Sequence, residues 1–173
     1  MICAAIVYFT DKGAQLGGML AEKLDCTAQK PPKGGLASLT EKLFHEADAL
    51  IFIGACGIAV RAIAPLIVSK TSDPAVIVLD EQGKHVISLL SGHIGGANDL
   101  ARRIAGYIGG EAVITTATDV NGRFSVDAWA VKHSCVIDSM EHAKEYAASI
   151  LKRDVPLFSD FEICGELPGG VFV

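Results

Sequence analysis

Apolar residues along the chain recur with two spacings, one typical of buried strands and the other of amphipathic helices. Residues 2–9 form a run of apolar and β-branched side chains, which predicts a first buried strand. Four apolar residues then recur at helical spacing within residues 13–24, which predicts a helix. The chain therefore opens as a strand followed by a helix.

The next segment is predicted to contain a loop, a helix, a second strand and another helix. Residues 26–38 contain two prolines and two glycines and are predicted to form a loop. Thr40 is predicted to cap a short helix that runs to Glu46. Residues 49–53 are wholly apolar and predict a second buried strand, and residues 57–63 predict a helix that ends near a proline.

Two further apolar runs lie close together, at residues 75–80 and 85–90. They flank the sequence Glu-Gln-Gly-Lys, a hairpin signal, so the sheet is expected to be mixed. Residues 95–106 follow with an apolar stripe and charged residues on the opposite side, which predicts an amphipathic helix.

The rest of the chain is predicted to contain further short elements, and its pattern is less regular after about residue 135. These elements are a strand at 112–115, helices at 124–131 and 140–151, and strands at 155–158 and 171–173. Strands that alternate with helices favour an α/β fold, here a layered α/β/α arrangement around a mostly parallel, partly mixed sheet. We expect an N-terminal domain over residues 1–135 and the start of a second, incomplete region over residues 136–173.

Composition narrows the class of protein. Half of the 173 residues are hydrophobic and 20% are charged, which is enough apolar material for a sizeable core. No apolar run is long enough to span a bilayer, and the first ten residues lack the features of a signal peptide. We therefore expect a cytoplasmic protein with no membrane partner. The net charge of −5 gives no basic footprint for nucleic acid.

The cysteines and histidines do not form a recognised metal motif. The five cysteines are widely spaced, and neither C-x-x-C nor H-x-x-x-H occurs. No Walker A loop occurs, and no G-x-G-x-x-G follows a strand. The sequence therefore predicts neither a metal held by the protein nor a cofactor.

Three loops where strands lead into helices carry the candidate chemistry. In the first, Gly54 and Gly57 allow close approach of a ligand, and Arg61 could clamp a carboxylate. The alternative is a tight turn with a surface arginine.

The second loop is the stronger candidate, because glycines surround a histidine. His93 could act as a general base, or it could ligate a metal carried by the substrate. The alternative is a histidine that only hydrogen-bonds the loop. Adjacent glycines at a helix start need a justification such as a large or anionic ligand. The candidate binding residues are Ser91, Gly92, Gly95, Gly96 and Asn98.

The third loop offers hydroxyl groups and one carboxylate. Thr115, Thr116 and Thr118 could hold ligand oxygens, and Asp119 could orient a base or a water. Alternatively, Asp119 caps the next helix or forms an Asx turn. Because ligands bind at the carboxyl ends of strands in open α/β sheets, we expect the three loops to converge on one ligand.

These loops and the residues around them resemble the N-terminal region of the CbiG family of cobalamin biosynthesis. The order and spacing of the motifs carry the resemblance, over about residues 49–130. The motifs are FIGACGIAVRAIAP at 52–65, DPAV at 73–76, LSGHIGGANDLA at 90–101 and ITTATD at 114–119.

The resemblance implies an activity, that of a cobalt-precorrin-5A hydrolase in the anaerobic pathway. Such an enzyme opens a δ-lactone on the macrocycle to give cobalt-precorrin-5B and releases acetaldehyde. The implied ligand is a corrinoid whose cobalt belongs to the substrate, so no cofactor is expected. We assign water activation to His93, helped by Asp119, and oxyanion stabilisation to the N–H groups of Gly95 and Gly96 with the hydroxyls of Thr115 and Thr116.

Two alternatives to a complete hydrolase stay open. The family's separate C-terminal domain is not found in this sequence, so the chain could be a corrinoid-binding module that needs that domain as a partner. Outside the family, a sugar-phosphate or nucleotide-binding α/β domain could use the same helix starts. The apolar residues near Val171 suggest pairing with a partner or with a second copy in a homodimer.

Overall fold

The computed structural model describes residues 3–173, so Ile2, at the start of the first predicted strand, lies outside the described residues. The chain divides into two compact units. The first extends to Val113, and the second comprises Ile114–Val173.

A six-stranded mixed sheet forms the centre of the first unit. In sheet order, its strands are β2 (Thr27–Gln29), β1 (Ala4–Tyr8), β3 (Ala49–Ile53), β4 (Ala75–Leu79), β5 (His85–Leu90) and β6 (Glu111–Val113). The first four of these run parallel, β5 is antiparallel to β4, and β6 is parallel to β5. The expected mixed α/β sheet with its hairpin is thus confirmed.

Helices cover both faces of this sheet. They are α1 (Asp11–Leu24), α2 (Leu36–Glu46), α3 (Cys56–Ile63) and α4 (Ala97–Ile108). Leu20 of α1 and Ile104 of α4 pack in one core cluster with Ile51 and Ile77. Phe44 of α2 and Ala59 of α3 pack in the other cluster, against alternate residues of the same strands. The layers are therefore α/β/α, as the alternation of strands and helices predicts.

Burial on both faces explains the unbroken apolar sequence of β3 and β4. All five residues of each strand are buried. In a strand that is covered on both sides, a polar side chain on either face would be removed from water. Such a strand is therefore apolar throughout and does not alternate apolar with polar residues. Each large aliphatic side chain buried in this way stabilises the fold by about 1.5–3 kcal/mol.

Two predictions between β1 and β3 are wrong. The segment 26–38 is not wholly a loop, because Thr27–Gln29 pairs with β1 as an edge strand. The helix predicted from Thr40 begins earlier, at Leu36, with Gly35 as its N-cap. Thr40 is instead fully buried within that helix.

The second unit contains three helices and a pair of short strands. Its helices are α5 (Ala117–Val120), α6 (Val126–Lys132) and α7 (Met140–Ile150). Two strands, β7 (Val155–Pro156) and β8 (Val171–Phe172), pair in parallel. The division at Val113 lies before the boundary expected at residue 135, because residues 114–135 hold their contacts within this unit.

Two contacts around residues 123–124 illustrate that grouping. The Arg123 guanidinium pairs with the Asp154 carboxylate. The Phe124 ring meets the Tyr146 ring edge to face, with 6.3 Å between centroids.

Across residues 3–173, no helix has the length and apolar character needed to cross a membrane.

Candidate functional site

The direction of β5 separates two of the candidate loops. β3 runs parallel to β4, and Ile53 lies beside Leu79 at their carboxyl ends. β5 runs back, so that Leu90, at its own carboxyl end, lies beside Val76. The loop 54–61 therefore leaves one edge of the sheet and the loop 91–98 leaves the opposite edge, and a five-residue strand is about 16 Å long. The expected convergence of these two loops is wrong.

The first loop leaves β3 through a glycine that its neighbours require. A Cβ at Gly54 would lie 2.8 Å from the Phe9 ring. The Gly54 N–H donates to the Leu79 carbonyl at 2.8 Å. The strand-end crevice at Gly54 is thus filled by an aromatic side chain of the protein, and close packing accounts for this glycine.

Arg61 is the charged group of this edge. Its side chain is exposed, and its Nη1 would lie 3.8 Å from a Cβ added at Gly57. The guanidinium therefore lies beside the first turn of α3, where helix N–H groups also favour an anion. The Arg61 guanidinium and these helix N–H groups together form a small basic surface.

Each glycine of the second loop has a structural cause within the loop itself. A Cβ at Gly92 would lie 2.8 Å from Asn98 Oδ1, and a Cβ at Gly95 would overlap the Ser91 side chain. Gly96 has a φ of 79° and is the N-cap of α4. This left-handed residue explains why α4 begins at Ala97 and not at residue 95 as predicted.

Backbone hydrogen bonds close this loop onto the start of α4. The N–H of Gly96 donates to the His93 carbonyl at 3.0 Å, that of Ala97 to the Ser91 carbonyl at 3.2 Å, and that of Asn98 to the Gly92 carbonyl at 3.0 Å. The predicted oxyanion role of the Gly96 N–H is therefore not available in this conformation, because the donor is already engaged.

Ser91 combines two unfavourable features at the end of β5. Its φ is 56°, in the left-handed region that non-glycine residues rarely adopt. The side chain is only 9% exposed, and its Oγ has no hydrogen-bond partner among the described residues. His93, two residues later, is half-buried.

Asn98 is held in place by Ser88, a residue outside the predicted site. Ser88 Oγ donates to Asn98 Oδ1 at 2.7 Å, and Asn98 is 3% exposed. The sequence does contain a signal for Ser88, since it is the polar residue within the apolar core of β5. Ser88 and Asn98 fix the second loop against α4.

A cleft of about 450 Å³ lies on the same edge as the second loop. Ile94 and Gly95 form one side of it, and Asp73, Glu46 and Asp48 contribute carboxylates. Each of these carboxylates has a partner of its own. Backbone N–H groups donate to Asp73 and Asp48, and the Lys42 ammonium lies 4.0 Å from Glu46. The lining residues are Phe44, His45, Glu46, Ala47, Asp48, Ser72, Asp73, Pro74, Ile94 and Gly95.

Asp73 is buried and has a structural task. Its carboxylate accepts backbone N–H bonds from Val68 and Ser69 at 3.0–3.2 Å. These bonds close the loop that leads into β4. The sequence carries a signal for this turn that no prediction used, namely a polar residue directly before a proline and an apolar strand.

The third candidate loop belongs to the second unit. Thr115 is exposed, and Thr116 is the N-cap of the short helix α5. Thr116 Oγ1 donates to Asp119 Oδ2 at 2.7 Å, and Thr118 is buried. Asp119 thus lies inside a one-turn helix, where it accepts a hydrogen bond from the N-cap side chain.

Thiols and metal ligands add little to these loops. Among residues 3–173, no group of three or more His, Cys, Asp or Glu side chains is arranged to hold a metal ion. Burial, followed by the charges of Asp25 and Cys3, raises the pKa of the Cys26 thiol. Cys56, which opens α3, is a free, half-buried thiol.

Comparison with known proteins places these loops in a matched region. A family model described as cobalamin synthesis G N-terminal matches residues 38–119. All of the candidate site residues lie within this range. A cobalamin biosynthesis protein G homologue from Sulfolobus solfataricus has a similar structure, with a TM-score of 0.58 and 21% identity over 98% of this chain and 52% of that one.

Two curated proteins are more similar in sequence. The cobalt-precorrin-5A hydrolase of Salmonella typhimurium is 46% identical over 149 residues, which is 85% of this chain and 42% of that protein. The cobalt-precorrin-5A hydrolase of Priestia megaterium is 41% identical over 121 residues, 70% of this chain and 32% of that protein. The chain therefore spans less than half the length of these two relatives.

Proposed function

The chain belongs to the CbiG family, and on this premise we propose that it acts in cobalamin biosynthesis as a cobalt-precorrin-5A hydrolase. Water opens the δ-lactone of the macrocycle to give cobalt-precorrin-5B, and acetaldehyde is released. The observation that carries the proposal is the 46% identity to the Salmonella hydrolase over 149 residues. The sugar-phosphate or nucleotide-binding alternative is not favoured by these relatives.

We place the reacting part of the substrate at the sheet edge of His93. This imidazole is half-buried in a loop that is held by Ser88 and Asn98. An imidazole titrates near neutral pH, so it can take a proton from the attacking water. The third loop belongs to the second unit, and of its hydroxyls only that of the exposed Thr115 is proposed to contact ligand oxygens. The Thr116 hydroxyl already donates to Asp119, and Thr118 is buried. The assisting role of Asp119 stays a prediction.

Arg61 belongs to a separate part of the proposal, because it lies at the opposite edge of the sheet from His93. With Gly57 in the first turn of α3, it offers a basic surface for a carboxylate, whereas Phe9 closes off Gly54. Substrate contact at this edge would be with a peripheral acid group and not with the lactone.

The remaining partners and the location in the cell follow from the same proposal. The ligand is a corrinoid that brings its own cobalt, and the reaction takes place in the cytoplasm without nucleic acid or membrane. Because the relatives are longer, a C-terminal domain is the proposed partner for turnover. Pairing near Val171 with such a domain or with a second copy stays a prediction.

Incubation of the purified chain with cobalt-precorrin-5A tests the proposal, with acetaldehyde as the readout. Acetaldehyde release at a rate that scales with the amount of chain supports the hydrolase. Corrinoid binding without acetaldehyde supports the binding module that needs its C-terminal partner. Thermal stabilisation by nucleotides or sugar phosphates, and none by corrinoids, would contradict both.

A further inference from the structure

The Ser91 hydroxyl occupies a position that its own surroundings do not explain. A left-handed backbone conformation disfavours serine, and a buried hydroxyl without a partner destabilises the folded state. Glycine or alanine would avoid one or both of these penalties. Two local penalties at one residue, beside a loop that carries His93, are typical of a residue retained for binding or catalysis.

A ligand could reach the Ser91 hydroxyl only if the loop that covers it moved, because the Oγ is buried and Gly95 packs on it. Gly95 packs directly on the Ser91 side chain, and Gly96 adopts the left-handed conformation that precedes α4. The hydrogen bond from the Gly96 N–H to the His93 carbonyl lies within the loop and closes it. Displacement of Gly95 would uncover the Ser91 hydroxyl, and rupture of that hydrogen bond would free a second donor, the Gly96 N–H.

We propose that Ser91 is a ligand-binding residue whose hydroxyl donates to a carboxylate of the corrinoid when the loop 91–96 opens. The inference rests on the proposed function, which supplies a ligand rich in carboxylates. A hydroxyl that bonds a carboxylate gains a charge-assisted hydrogen bond in place of no bond at all. Ligand binding therefore relieves the penalty that the closed loop imposes.

The competing explanation is a hydroxyl that is merely tolerated. The chain contains a matched example, Thr40, whose Oγ1 is also buried without a partner among the described residues. Thr40 lies on α2, which packs on the face of the sheet opposite α4. Removal of either hydroxyl should leave the ligand-free fold as stable as before or more stable, but only Ser91 should affect binding.

The test compares the full chain with its Ser91→Ala and Thr40→Val variants. Melting temperatures are measured without ligand, and affinities are measured by titration with cobyrinic acid, a corrinoid whose side chains are free carboxylates. Cobinamide, in which amides replace those carboxylates, is the control ligand. We expect both variants to melt at or above the wild type. Ser91→Ala should bind cobyrinic acid at least about tenfold more weakly, whereas Thr40→Val binds it as the wild type does.

Several other results would contradict the proposed role of Ser91 or the function on which it rests. A lower melting temperature for Ser91→Ala, or unchanged affinity for cobyrinic acid, overturns the role of Ser91. An equal loss of affinity for cobinamide also overturns it, because the carboxylate would then not be the recognised group. If the wild-type chain binds no cobyrinic acid but releases acetaldehyde from cobalt-precorrin-5A, the inference fails and the proposed function stands. If it does neither, both fail.

Discussion

Ser88 Oγ donates a hydrogen bond to Asn98 Oδ1 at 2.7 Å and so joins the middle of β5 to the first turn of α4. Ser88 is half-buried and Asn98 is buried, so water cannot easily replace either partner of this bond. The loop between them carries His93, and its position therefore depends on this bond.

Ser88→Ala should lower the free energy of unfolding by about 1–2 kcal/mol, because the Asn98 amide oxygen loses a buried donor. Urea unfolding checks this value. Ser38→Ala is the control, since the Ser38 hydroxyl is exposed and its bond to the Gly35 carbonyl is long, at 3.2 Å. Its effect should stay within about 0.5 kcal/mol. Equal effects of the two substitutions would contradict the structural role of Ser88.

Gly95→Ala should destabilise the chain by about 1–3 kcal/mol, because the added methyl overlaps the Ser91 side chain and approaches its carbonyl oxygen to 2.9 Å. Gly106→Ala provides the opposite case within α4, where a Cβ meets nothing within 4 Å. That substitution should stabilise by about 0.5–1 kcal/mol through helix propensity. A melting temperature of Gly95→Ala at or above that of the wild type would show that the loop packs differently.

Asp80 closes the turn between β4 and β5 and makes stability depend on pH. Burial acts to raise the pKa of its carboxyl, but the N–H groups of His85, Gln82 and Lys84 outweigh burial and hold that pKa below its ordinary value. The carboxylate therefore stabilises the fold above the unfolded-state pKa of about 4, and this contribution is lost as the pH falls through the lower folded-state value.

Asp80→Asn should thus lower the free energy of unfolding at pH 7 by less than about 1 kcal/mol, since the side chain is 39% exposed and solvent screens its charge. The difference from the wild type should shrink on acidification to pH 3, as urea titrations at both values would reveal. Glu22→Gln, at an exposed position of α1, is the control and should differ from the wild type equally at both pH values. A difference for Asp80→Asn that is the same at both pH values would refute this linkage.

His93→Ala should reduce kcat for acetaldehyde release by about 10²–10⁴-fold, as expected when a general base is removed. Circular dichroism and the melting temperature should change little, because the loop is held by Ser88 and Asn98. His142→Ala, on the exposed side of α7, should leave kcat unchanged. Near-normal turnover by His93→Ala would exclude the imidazole as the base.

The layers of the fold could be read from the sequence because burial leaves a strong pattern. The wholly apolar β3 and β4 could not be exposed, and the hairpin signal at residues 81–84 correctly reverses β5. The short strand β2 was missed, since Thr27–Gln29 is a partly exposed edge strand that carries no apolar run. Pairing with β1 makes it a strand, and such pairing is not visible locally.

The candidate site was predictable as a set of residues but not as an arrangement. The hairpin already implied that β5 ends at the edge where β3 begins, so loops 54–61 and 91–98 could not meet at one edge of the sheet. The glycines pointed to close approach, but the approaching groups are Phe9, Asn98 and Ser91, which belong to the protein. Tertiary neighbours decide what a glycine makes room for, and sequence spacing does not contain them.

The most direct measurement of the central claim is turnover of cobalt-precorrin-5A by the chain in water labelled with oxygen-18. If water attacks the lactone carbonyl, the corrin product carries one labelled carboxylate oxygen for each acetaldehyde released. Mass spectrometry of the corrin product, with acetaldehyde quantified in the same sample, gives both values. Acetaldehyde with an unlabelled corrin product, or no acetaldehyde from either the chain or the chain with its C-terminal partner domain, would contradict lactone hydrolysis by this protein.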